Sequence, residues 1–64
     1  MTEAEARAEA IRLWGPEAYA IGPDHRGDYH VGVRGTYTQN GIQGSSRSGF
    51  GDALDAARAI SGAL

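Results

Sequence analysis

The apolar residues of this chain change their spacing twice, and nothing else in the sequence constrains its fold as strongly. In the first fourteen residues, and again from Phe50 onward, they recur every three or four positions, the repeat of an amphipathic helix. Between Tyr29 and Thr38 they alternate with polar residues, the repeat of a half-buried strand. A strand-forming middle between two helix-forming ends predicts an α+β fold in which the helices cover one face of a small sheet.

The boundaries follow from local chemistry. Thr2 and Glu5 have capping-box spacing, and Gly15-Pro16 stops a helix, so the first helix is expected over residues 3–14. Ala4, Ala8 and Ile11 form its apolar stripe, widened by Ala10 and Trp14. Glu5, Glu9 and Arg12 lie opposite, and Glu3 and Arg7 are spaced to pair. Ala18-Tyr19-Ala20-Ile21 reads as a short strand, and GPDHRGD after it is dense in turn formers. The alternating segment is a second strand. Asn40-Gly41 predicts a type I′ hairpin with Gln39 opposite Ile42 and a third strand from Ile42 to about Arg47, its core face carrying Ile42, Gly44 and Ser46. A rival register breaks the second strand at Arg34-Gly35. Phe50, Ala53, Leu54, Ala57, Ile60 and Leu64 mark the second helix, with Gly49 as N-cap and Gly62 as C-terminal cap.

The resulting order is α-β-β-β-α, with a three-stranded antiparallel sheet and both helices packed on one face. The expected core is Ile11, Trp14, Tyr19, Ile21, Tyr29, Val31, Val33, Ile42, Leu54, Ala57 and Ile60. Sixty-four residues hold one domain, residues 1–64, and a chain this short buries only about 60% of its unfolded surface. With no cysteine, disulfides cannot reinforce it. No apolar run reaches the ~20 residues of a membrane span and the N-terminus is charged throughout, so a cytoplasmic protein without a membrane role is expected.

The sheet face turned away from the helices is expected to show Ala18, Ala20, His30, Gly32, Arg34, Thr36, Thr38, Gln43, Ser45 and Arg47, a surface with Arg and His but no acid. His25 or His30 as base and Ser45, Ser46 or Ser48 as nucleophile would be the ingredients of catalysis. The spacing supplies neither a group to orient the base nor an oxyanion site, so no enzyme is expected. A metal bound by Asp24, His25, Asp28 and His30 would need a third strong ligand at closer spacing. No catalytic, cofactor-binding or metal residue is assigned, and no cofactor is implied. The segment around these histidines reads first as a hairpin loop, with Pro23 presetting a turn, Asp24 bonding its own backbone and Gly27 accepting positive φ.

Gly22-Pro23-Asp24-His25, between the first two strands of an α-β-β-β-α chain, resembles the Gly-Pro-x-His loop of the double-stranded RNA-binding domain. Tyr29-His30-Val31-Gly32-Val33 resembles that family's second strand and Ala53–Leu64 its last helix. The resemblance implies that fold, with the loop entering an RNA minor groove. The family grips phosphates with a Lys-rich start to its last helix. The matching stretch here is Ser48-Gly49-Phe50-Gly51-Asp52, without Lys and with an added acid, so most phosphate affinity is absent. Trp14-Gly15-Pro16, Tyr29-His30-Val31-Gly32 and Phe50-Gly51-Asp52-Ala53-Leu54 also look like small proteins of phages and mobile elements, a size class that includes anti-CRISPR proteins. That resemblance implies stoichiometric binding to a larger host protein or nucleoprotein complex.

A net charge of −2 argues in the same direction, since generic nucleic-acid binders are basic. The expected function is therefore non-enzymatic protein binding, inhibitory by occlusion, with duplex RNA binding as the alternative and homodimerisation a further means of covering the sheet. The candidate contact residues are His25, Arg26, His30, Arg34, Thr36, Thr38, Gln43 and Arg47. A second, acidic surface comprises Glu3, Glu5, Glu9, Asp52 and Asp55.

Overall fold

The computed structural model describes residues 1–38 and 40–63, Ala63 by its backbone alone. Helix α1 spans Glu3–Trp14, strands β1, β2 and β3 span Ala18–Ile21, Tyr29–Val33 and Ile42–Ser46, and helix α2 spans Phe50–Ala63. The sheet is antiparallel in the order β1-β2-β3, and both helices pack on one face of it, as the sequence periods require. Leu64, expected on the α2 stripe, lies outside the described residues.

The ends of α1 are set by the residues that predict them. The Thr2 side chain accepts from the Glu5 backbone N–H at 3.1 Å and the Glu5 carboxylate accepts from the Thr2 N–H at 2.8 Å. Gly15, at φ 101°, closes the helix by donating to the Ile11 carbonyl. Gly49, at φ 140°, precedes α2 and its carbonyl takes the first helical bond, from Ala53. Two expectations fail here. The ion pair on α1 is Glu9–Arg12 and not Glu3–Arg7. Gly62 caps nothing, because α2 continues through it to Ala63.

The core is built from smaller side chains than expected. Val31, Val33, Ile42, Leu54 and Ala57 are buried as read from the sequence, with Trp14 and Tyr29 packed half-buried against them. The remaining core positions belong to Ala6, Ala10, Ala18, Ala20, Phe50 and Ala53. Ile11, Ile21 and Ile60 are 39%, 54% and 42% exposed, and Tyr19 faces the opposite side of the sheet. The register of β1 explains the reversal. Ala18 pairs with Val33 and Ala20 with Val31, and directly paired residues share a face, so the alanines go inward with the valines. On α1 the buried residues are Ala6 and Ala10, with Leu13 and Trp14 half-buried, in place of the Ala4–Ala8–Ile11 stripe. Alanine against alanine lets α1 sit close to β1. Tyr19 on that face would have buried a hydroxyl without a partner.

The Asn40-Gly41 hairpin does not form. Ile42 pairs with Val33 and not with Gln39, which is itself outside the described residues, and residues 34–41 form a connection whose neck brings Gly41 against Gly35. The strand ends at the rival break. The tight register fails because it would pair Val31 with Phe50, where α2 begins. The observed pairing instead puts Gly44 opposite Val31 and directly beneath α2. The offset between the two registers is an even number of residues, so Ile42, Gly44 and Ser46 keep the core face they were expected to have.

Candidate functional site: the polar network on the open sheet face

The β1–β2 connection is held together by Asp24. Its Oδ1 accepts from the backbone N–H groups of Arg26 at 2.8 Å and Asp28 at 3.0 Å. Its own backbone N–H donates to the Asp28 carbonyl, and its carbonyl accepts from Gly27, which sits at φ 85°. Thus the expected hairpin loop is present, with the Asp24 and Gly27 roles read from the sequence. These bonds leave Oδ2 free to turn over the sheet.

There Asp24 Oδ2 meets His30 Nε2 at 2.9 Å, and the other ring nitrogen, Nδ1, is 2.8 Å from the Ser45 hydroxyl on β3. Gln43 Nε2 donates to the same Nδ1 at 3.3 Å, and the Tyr19 hydroxyl on β1 donates to Gln43 Oε1 at 3.1 Å. A carboxylate only accepts, so the neutral imidazole carries its proton on Nε2 and directs the Nδ1 lone pair at Ser45 and Gln43. The His30 hydrogen bond, followed by the backbone donor of Asp28, holds the Asp24 carboxyl far below the usual carboxylate range. Burial raises the Tyr19 phenol, which remains a donor.

Asp28 also turns toward the sheet, where its Oδ1 accepts from Arg47 Nε at 3.2 Å. The expectation of a face without acids is therefore overturned: Asp24 and Asp28 reach it from the loop and sit beside His30 and Arg47. Ala18 and Ala20 leave the face, and Tyr19 and Ile21 replace them. Thr36 and Thr38 also leave it, because β2 stops at Val33. They lie exposed in the 34–41 connection, with the Thr38 N–H on the Thr36 hydroxyl.

His25 and Arg26 are exposed at the tip of the 22–28 loop, and Arg34 is exposed at the opposite end of the sheet. His30 and Gln43 lie on the face as expected. Of the acidic candidates, Glu3, Asp52 and Asp55 are exposed on their helices, Glu5 also accepts from the Thr2 N–H in the cap, and Glu9 pairs with Arg12. Sequence reasoning placed His30 and Ser45 on one face but missed the group that orients the histidine. The available signal was Asp24 six residues before His30, spanning a turn of known chemistry.

An open depression of about 490 Å³ lies between the N-termini of the helices, lined by Thr2, Tyr29, Ser48, Phe50, Gly51 and Asp52 among others. Tyr29 and Phe50 meet edge to face at its floor, with ring centroids 4.8 Å apart. Asp52 is the only charged side chain among the described residues that line the depression. No described helix is long and apolar enough to cross a membrane. No protein-family model matches the chain, and no curated protein or solved structure is significantly similar to it.

Proposed function

We propose that this chain is a non-enzymatic protein-binding module that acts by covering part of a larger protein or nucleoprotein complex, as phage-type inhibitors of its size class do. The observation that carries the reading is the makeup of the surface the helices leave uncovered. Tyr19, Ile21, His30, Gln43 and Ser45 form its centre, and Arg26, Arg34 and Tyr37 stand exposed in the loops at its two ends. Tyrosine and arginine are the residue types that anchor interfaces, and an apolar side chain beside them supplies contact area. The Tyr19–Gln43–His30–Asp24 bonds fix the central side chains before any partner arrives, which lowers the entropic cost of association. Arg26 and Arg34 make no ion pair among the described residues, so the partner is a folded protein with carboxylates flanking an apolar patch. Duplex RNA is the less favourable occupant, because Asp24 and Asp28 lie in the loop that would enter the minor groove and Asp52 stands where phosphate would be held.

The test is affinity capture from lysate of the cell that makes the protein, run with and without nuclease. Wild type and the Ile21→Ser and Arg34→Ala variants are compared side by side. The expected result is one stoichiometric protein that survives nuclease and is lost with either variant. Recovery that disappears with ribonuclease, together with binding of a ~16-base-pair RNA duplex by the purified chain, would replace this reading with RNA binding. A doubled mass in light scattering, with no other partner, would replace it with self-association.

A further inference from the structure

We propose that Ser45 is a nucleophile activated by His30, and that it accepts an acyl group from an activated acyl donor, a thioester or activated ester. The site goes beyond the binding role and does not depend on it. Three segments far apart in sequence build it: the 22–28 loop supplies Asp24, β2 supplies His30 and β3 supplies Ser45. Nucleophile and base lie 2.8 Å apart, and base and orienting carboxylate 2.9 Å apart. A nucleophile on a base that a third group orients is the arrangement that activates a serine hydroxyl. Here the two imidazole nitrogens exchange their usual duties, the carboxylate taking Nε2 and the hydroxyl Nδ1. Asp24 is a positioning residue, held by two backbone N–H groups, and its Oδ2 keeps the ring proton on His30 Nε2 so that Nδ1 faces Ser45. Ser45 is exposed, so a donor can reach it. The Gln43 amide, anchored by Tyr19, donates to the same Nδ1 at 3.3 Å, a longer contact than that of Ser45, and gives it up when the Ser45 proton arrives.

The step balances without an oxidant or reductant. Ser45 Oγ attacks the donor carbonyl and passes its proton to His30 Nδ1. The new Oγ–C bond remains, the C–S or C–O bond of the donor breaks, and the leaving thiolate or alkoxide takes the proton back from His30. The products are an acylated Ser45 and a free thiol or alcohol.

The chain carries its own control, because Ser48 is exposed two residues beyond β3 and has no histidine partner among the described residues. Purified protein is treated with p-nitrophenyl acetate and acetylation is mapped by peptide mass spectrometry, with circular dichroism confirming that each variant is folded. Ser45 is expected to label roughly ten-fold or more faster than Ser48. His30→Gln brings Ser45 down to the Ser48 rate and Asp24→Asn lowers it part of the way. Ser45→Cys labels at position 45 in a His30-dependent manner. Equal labelling of Ser45 and Ser48 in the wild type overturns the proposal. So does Ser45 labelling that persists in folded His30→Gln, or an acetyl group found on the imidazole alone.

Discussion

At the scale of single residues, the positions that matter most are those where a side chain is missing. A Cβ at Gly44 would stand 2.2 Å from the Ala57 nitrogen and 2.4 Å from the Ala53 carbonyl oxygen, both backbone atoms of α2 that cannot turn aside. Gly44→Ala is expected to lift the helix from the sheet and cost about 1–3 kcal/mol, read as a lower urea midpoint. Gly51 is the opposite case: within α2, nothing lies within 4 Å of its would-be Cβ. Gly51→Ala should raise stability by about 0.5–1 kcal/mol, read as a higher urea midpoint, because alanine gives up less backbone freedom in a helix. Asp24 contributes to the acid limb of stability. Its carboxyl is depressed in the folded state, so the folded chain binds fewer protons than the unfolded one once pH drops through the ordinary carboxylate range. Its contribution is intact above about pH 4 and is lost as pH falls further. Glu5 and Glu9 are depressed in the same direction by Thr2 and by Arg12 respectively. Asp24→Asn should therefore flatten, without abolishing, the fall of melting temperature between pH 4 and pH 2.

At the scale of elements, the helices were legible because their signals are local. The Thr2–Glu5 box, Gly15 and Gly49 each act within one turn of chain, and each is found where the sequence puts it. Thr2→Ala removes half of the box and should cost about 1 kcal/mol. The link between helices was not legible: Trp14 Nε1 donates to the Ser61 hydroxyl at 3.2 Å across 47 residues. Trp14 is the only tryptophan, so Ser61→Ala should shift its fluorescence emission and lower stability by about 0.5–1.5 kcal/mol. β1 shows why the strands were harder. Ala18-Tyr19-Ala20-Ile21 alternates with no polar residue to mark the outer face, and transfer energy alone sends Tyr19 and Ile21 inward. Packing reverses that choice because a close helix needs small partners.

At the scale of the whole molecule, the core is thin. Among the described residues Val31 is the largest fully buried side chain, and six of the eleven buried apolar residues are alanines. A domain of this size is held by roughly 3–10 kcal/mol in all, and truncating one buried leucine costs about 2–5 kcal/mol. Leu54→Ala should accordingly leave much of the chain unfolded at 37 °C, measured by circular dichroism. Ile21→Ser, at 54% exposure on the uncovered face, should leave the melting temperature nearly unchanged. That contrast separates loss of binding from loss of fold in any partner assay.

The sequence by itself determined the element order, both ends of α1, the start of α2 and the Asp24 turn, because each rests on period or on contacts within a few residues. It also placed His30, Gln43 and Ser45 on one side of the sheet, since alternation fixes a face wherever an inward residue, Val31 and Val33 on β2 or Ile42 on β3, marks the other. Tertiary structure alone decided which face of β1 is buried, where β2 meets β3, and that Asp24 reaches His30. These depend on how closely a helix can approach a sheet and on which long-range pairings α2 leaves available. The tight Asn40-Gly41 turn is favoured locally, yet it would draw Phe50 into the sheet and forfeit the helix that covers the core.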